Sequence, residues 1–194
     1  MDTSDTPSPR PRRRRDPEAR KREVIEAAER VIAKRGVEGL THRAVAEEGQ
    51  LPVASTTYHF ATRDDLIQLA FERSVDQFAA YLEAFEAERP ATSVAELVDR
   101  LTDSVVVACG GQRDTFVVEF ELFLAALRRP ALRPIADRSV TLGRAPLERL
   151  LPPVRARAVS AALSGMILHG LAATQPPERT EVYATLADIC HLDT

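Results

Sequence analysis

Cysteine is scarce here: Cys109 and Cys190 are the only two in 194 residues. Two thiols so placed make neither a disulfide framework nor a metal-ligand spacing, and both are expected to be reduced, as in a cytoplasmic protein. No apolar run reaches the roughly 20 residues that cross a bilayer, and the N-terminus has no apolar signal core. No partner membrane is therefore expected. A Gly-rich phosphate loop, a paired His/carboxylate cluster and a nucleophile beside an obvious base are all missing. No catalytic residue, metal ligand or cofactor is assigned, and enzyme activity is not expected. Beyond residue 63 there is no strand-like alternation. What is present is enough hydrophobic surface for a substantial core, 44% of residues, with 28% charged. The length suits a small head plus a larger helical body.

The net charge of −3 hides an asymmetry. Residues 1–63 hold thirteen Lys/Arg against ten Asp/Glu, a balance of +3, and residues 64–194 hold thirteen against nineteen, a balance of −6. A cationic end on an acidic body suits approach to a polyanion from one side. Residues 1–17 combine Ser, Pro, Asp and Thr with the run from Arg10 to Arg15, a composition too polar to order itself. It reads either as a solvated tail or as an arm lying along phosphates or in a minor groove.

The most informative stretch is THRAVAEEGQLPVASTTYHFATRDDL, residues 41–66. Thr41 suits an N-cap, and Val45 and Ala46 follow at helical spacing. Gly49, permissive of left-handed backbone, and Pro52 break the helix, and Pro52 suits the first turn of a second one over about 53–58. That second helix carries Ser55, Thr56 and Thr57 in a row, small hydroxyls of the kind a major groove accepts.

The segment from about Arg20 to Glu72 resembles the DNA-binding head of the TetR family of bacterial regulators. The resemblance rests on Ile25, Ala27-Ala28, Gly36, Gly39-Leu40-Thr41, Val45-Ala46, Tyr58-His59-Phe60, Arg63 and Leu66. One departure is Gln50, which stands where the family usually has Gly, so a slightly reshaped turn is expected. The resemblance implies an all-α fold of about nine helices: a helix-turn-helix domain over 18–62 and a ligand-binding and dimerisation domain over 63–194. It implies DNA contacts from Thr41, Arg43, Ser55, Thr56 and Thr57, a phosphate-binding pair in Tyr58 and His59, and a backbone clamp in Arg63. His42 is expected to be merely exposed, and Phe60 to be core.

The remaining helices are expected over about 17–35, 63–88, from Ser93 to Cys109, 114–128, 134–151, 154–173 and 179–191, with Gly36 as a left-handed cap on the first. The one over 114–128 is apolar nearly all round, through Phe116, Phe120, Phe123 and their neighbours, yet contains Glu119 and Glu121. A buried carboxylate must be paired, hydrogen-bonded or protonated. Either these two pair with arginines such as Arg144 or Arg157, or Glu119 anchors a ligand cavity walled by Phe116, Phe120 and Phe123. A cavity of that kind favours a ligand with a donor or a positive charge. Met166 and His169 are weighed between that cavity and a core or interface. The small-residue helix over 154–173 and the one over 179–191 are, by resemblance, the homodimer interface.

Together these features point to a homodimeric repressor on double-stranded DNA, with a near-palindromic operator and a small-molecule effector. The alternatives are an activator or partner-controlled regulator of the same fold, and a helical ligand-binding or enzymatic module that reads no DNA sequence.

Overall fold

The computed structural model describes residues 16–88 and 90–191. Among these residues the chain is helical throughout, without strands: α1 (Pro17–Arg35), α2 (His42–Gly49), α3 (Val53–His59), α4 (Arg63–Glu88), α5 (Val94–Cys109), α6 (Arg113–Arg128), α7 (Arg133–Arg144), α8 (Pro153–Ala172) and α9 (Arg179–Cys190). Short 3-10 turns occupy Val37–Gly39, Pro130–Leu132 and Leu147–Arg149. The run from Arg10 to Arg15 lies outside the described residues.

Helix starts follow local chemistry. Asp16, Thr41 and Ser93 accept from the N–H groups of Glu18, Ala44 and Glu96, each satisfying a donor that the helix itself leaves open. At α4 the arrangement is reciprocal: Thr62 Oγ1 accepts from Asp65 N–H and Asp65 Oδ2 accepts from Thr62 N–H, each at 3.0 Å.

Two expectations need correction. The helix expected over 134–151 stops at Arg144, because Pro146 has no N–H for the helical ladder, and the chain continues as a 3-10 turn. Gly36 ends α1 at φ 67° and ψ 174°, outside the left-handed helical region, in a corner of backbone space used almost only by glycine. Pro52 lies just before the first turn of α3 as its N-cap, with extended backbone (φ −61°, ψ 136°), and the helix starts at Val53 as expected.

The turn between α2 and α3 is built differently from what its glycine suggests. Gln50 takes the left-handed conformation (φ 51°, ψ 44°), so it supplies the geometry a glycine would. Gly49, the last residue of α2, is there for space. A Cβ on it would lie 2.9 Å from Leu51 Cδ1 and 3.0 Å from Ala27 Cβ.

Two apolar cores organise the packing. One joins α1, α2, α4, α6 and the start of α7 through residues such as Val24, Ile32, Val45, Leu66, Phe71, Val118, Leu122 and Ile135. The other joins α5, α8 and α9 through Val98, Val105, Val159, Leu171 and Leu186. The first core crosses residue 63, so α4 and α6 form the floor on which α1 sits. On the rim of that floor Arg73 of α4 donates to Glu26 at 2.8 Å and to Glu29 at 2.5 Å, both on α1. Burial pushes the Glu29 carboxyl up to about 7 against the opposing pull of Arg73.

Gly49→Ala is expected to destabilise the protein by about 1–3 kcal/mol, the usual cost of overpacking. Gln50→Gly should stabilise it by up to about 1 kcal/mol, because left-handed strain exceeds the added chain entropy. Denaturant melts of both variants check the pair.

Candidate DNA-reading head and effector cavity

The candidate reading surface lies on α2 and α3, which pack against α1. Thr41 is exposed, and its hydroxyl accepts from Ala44 N–H at 3.0 Å. One turn along, Arg43 reaches into solvent with its side chain 84% exposed, held only by an i,i+4 contact to Glu47 at 3.1 Å. A contact of that kind is weak and easily exchanged for another anion. On α3, Thr57 and Tyr58 are exposed, and Ser55 and His59 are half-buried. The Tyr58 and His59 rings meet edge to face at 5.0 Å. Phe60 is buried in the first core.

Two of the expected DNA contacts are instead internal. Thr56 is fully buried; its hydroxyl donates to Val53 C=O at 2.8 Å and lies 3.3 Å from His42 Nδ1. It joins α3 to α2 and leaves no group for a base. His42, expected to be merely exposed, is correspondingly half-buried. Arg63 is the second case. Its Nε donates to Leu40 C=O and its Nη2 to Val37 C=O, each at 2.6 Å, with Glu38 at 3.3 Å. The guanidinium clamps the 3-10 turn of its own chain, where the family pattern suggested a phosphate.

Val53 and Ala54 carry no motif in the sequence, yet they are exposed beside Thr57 at helical spacing on the same face of α3. Their methyl groups make the kind of apolar face that a thymine methyl meets. Charge is distributed unexpectedly too. Residues 16–63 hold eight Lys/Arg and eight Asp/Glu, so the whole +3 balance of the N-terminal part sits in residues 1–15.

The body contains a half-open cavity of about 470 Å³ between α4, α5, α6, α7 and α8. Phe116, Phe120 and Phe123 of α6 line it with Phe78, Tyr81 and Leu82 of α4, and Glu119 points among them. Helical spacing puts Glu119 on the Phe116/Phe123 face and Glu121 nearer the opposite side, and the structure separates them in that way. Among the described residues neither pairs with an arginine. Ser139 of α7 donates to Glu119 Oε1 at 2.9 Å, while Glu121 accepts from the backbone N–H of Val37 at 2.9 Å. Arg144 pairs with Glu148 at 3.0 Å, and Arg157 is exposed at the α8 edge of the cavity. Met166 and His169 do not line the cavity: Met166 packs against the second core and His169 faces outward. Their positions on α8 lie well round the helix from the cavity-lining Arg157, Ala161 and Ser164. Phe78 and Tyr81 carry no motif, and in the sequence Phe78 reads only as part of the buried side of α4.

Burial pushes the Glu119 carboxyl above its ordinary value, and the Ser139 hydroxyl only partly opposes this. Glu119 is half-buried and lines the cavity, so it is removed from bulk water only in part. An uncompensated carboxylate walled by aromatic rings has the chemistry to hold a cation: full charge attraction with ring faces beside it.

Comparison with known proteins identifies the class. The family model described as "Bacterial regulatory proteins, tetR family" matches residues 24–70, and "Tetracyclin repressor-like, C-terminal domain" matches residues 86–191. The chain belongs to the TetR family, a class of DNA-binding transcriptional regulators. Among solved structures it is similar to a TetR-family member from Streptomyces coelicolor A3, at 38% identity over 88% of this chain and 98% of that one, with a TM-score of 0.75. It is similar also to the multidrug binding protein EbrR complexed with ethidium, at 37% identity over 88% and 98% of the two chains, TM-score 0.73. The HTH-type transcriptional regulator LuxR of Vibrio harveyi is 37% identical over 78 residues, 40% of this chain; the match spans only 38% of that relative's length.

An acid whose folded-state pKa is raised contributes its stability in full below its unfolded value and loses it as pH rises through the raised value. Glu119→Gln is therefore expected to melt near the parent at pH 4 and increasingly above it as pH rises toward 9. Thermal melts of both proteins across that range check the divergence.

Proposed function

We propose that the chain is a homodimeric repressor released from a near-palindromic operator by a lipophilic organic cation. The observation that carries the effector class is Glu119: a half-buried carboxylate whose hydrogen-bond partner among the described residues is Ser139, set among Phe116, Phe120, Phe123, Phe78 and Tyr81. A flat or globular cation with aromatic surface fits that chemistry, and a hydroxyl is a partner that a stronger positive charge displaces. The multidrug binding protein EbrR, complexed with proflavin, ethidium and malachite green in solved structures, supports this reading, since all three are organic cations.

Homodimerisation falls to α8 and α9. The outward side of α8 presents Ala158 and Ala172 with Gly165, whose missing Cβ faces open space, and Val154 and Leu168 stand exposed beside them. Small residues let a second helix pair approach closely, as in antiparallel bundles. Two heads so joined reach successive major grooves about 34–36 Å apart. Arg43, Ser55, Thr57 and the Val53/Ala54 face would meet base edges, and Thr41, Tyr58 and His59 the backbone. Residues 1–15 would add affinity and salt dependence without sequence choice, because they carry the net positive charge. A cytoplasmic location agrees with this role.

Selection from a random duplex library should enrich a palindrome with half-sites about one helical turn apart. On that duplex Arg43→Ala and Thr57→Ala should weaken binding, Arg43→Ala by about 1–3 kcal/mol, with melting temperatures unchanged. Parental affinity in both variants would remove α2 and α3 from the reading surface. Trimming residues 1–15 should flatten the plot of log affinity against log salt by about 0.9 for each arginine that met a phosphate, leaving the selected sequence unchanged.

Ethidium fluorescence titrations, made without DNA, test the effector class. Glu119→Gln should weaken ethidium at least tenfold. In the parent, affinity should rise with pH through the raised Glu119 range, because only the carboxylate attracts the cation. A pH-independent affinity that survives Glu119→Gln would overturn the cation reading.

A further inference from the structure

The head packs on the body through α1 against α4 and α6, and the 3-10 turn Val37–Gly39 adds a polar tie that is held from two sides. Arg63 of α4 holds its carbonyl oxygens, at Val37 and Leu40. Glu121 of α6 holds its first N–H, accepting from Val37 at 2.9 Å across 84 positions of sequence. Beside this bond Arg129, the residue that ends α6, donates to Glu38 at 2.9 Å. Gly36 makes the approach possible. A Cβ there would lie 3.3 Å from both carboxylate oxygens of Glu121, and the residue's positive φ already excludes most side chains. The turn runs directly into Thr41, the N-cap of α2, so its position fixes where α2 begins.

Glu121 shares its helix with Glu119, two residues earlier. At about 100° per residue the two side chains leave α6 on nearly opposite sides. One meets the cavity and the other meets the head. We propose that Glu121 is a positioning residue for DNA binding: its bond to the Val37 amide is the contact through which occupancy of the Glu119 cavity changes the seat of α2. This rests on the effector-released repressor reading above. A cation drawn to Glu119 replaces the Ser139 hydroxyl as its partner and turns or slides α6. A helix moves as a rigid rod over so short a distance, so the same motion draws the opposite carboxylate off the amide. The turn then loses its backbone tie to α6, while Arg63 still holds its carbonyl oxygens from α4.

The test uses tetraphenylphosphonium as the probe, because ethidium itself binds duplex DNA, and the library-selected duplex as the operator. Three proteins are compared: the parent, Glu121→Ala, and Glu121→Gln, whose amide oxygen still accepts from Val37. Probe affinity is measured without DNA, and operator affinity with and without saturating probe. Coupling between two sites in a protein typically spans about 5- to 150-fold. In the parent the probe should weaken operator binding within that range. Glu121→Ala should bring the factor below about twofold while probe affinity stays within threefold, and Glu121→Gln should retain most of the parental factor. Parental coupling in Glu121→Ala overturns the proposal.

A second readout needs neither a variant nor DNA. Amide hydrogen exchange at Val37 in the parent should accelerate at least fivefold when the probe saturates, and unchanged protection overturns the proposal even where Glu121→Ala fails to fold. The failure of the underlying reading looks different. A parent that binds probe, exchanges Val37 faster and yet keeps its operator retains the latch and loses the effector-release mechanism.

Discussion

Everything in the head depends on a surface that the head does not itself contain. Helix α1 buries Val24, Ile25, Ala28, Val31 and Ile32, and the short α2 and α3 are too small to cover that stripe alone. The missing cover comes from Leu66, Ala70 and Phe71 of α4 and from Val118 and Leu122 of α6. Apolar burial at about 25 cal/mol per Å² is the dominant favourable term in folding, so separating head from body would cost more than any single polar contact at the seam restores. The seam is held by grease and only aligned by charge. That division lets the polar contacts be few, specific and exchangeable.

Polar groups at the seam take up the role of registration. Arg63 and Glu121 hold the two kinds of backbone group in one turn, carbonyl and amide, from two helices. Arg73 adds a third tie between α4 and α1. Each is a charge-assisted bond, stronger and more directional than a neutral one, and each reaches backbone or carboxylate at a place that packing has already brought close. The cavity lies one helix-width away, on the other side of α6. A half-buried carboxylate with a single hydroxyl partner is costly to maintain. In Glu119 that cost sits where a cation would remove it.

Several features were legible in the sequence because they are local. The boundaries of α1, α4, α5, α8 and α9 follow from capping residues, prolines and three-to-four-residue apolar spacing, and the structure agrees with them to within a residue or two. The junction residues Gly39-Leu40-Thr41 and Tyr58-His59-Phe60 were enough to identify the head. Helical geometry also divided Glu119 from Glu121. Local rules failed where two of them competed: Pro146 ended α7 early, and Gln50 accepted a left-handed backbone because the crowding of Ala27 and Leu51 required the glycine one place earlier.

By itself, then, the sequence determined the class of protein, the helices and the side of α6 on which each carboxylate lies, since all three depend on neighbours a few residues apart. It did not decide what those side chains meet. Thr56 turned inward, Arg63 closed on its own backbone, Met166 and His169 left the cavity, and Phe78 and Tyr81 entered it. Glu121 found an amide 84 positions away, where arginines had been expected. Partners at such separations are set by how helices pack in three dimensions, and helical periodicity specifies a direction from the axis but never the surface that waits there.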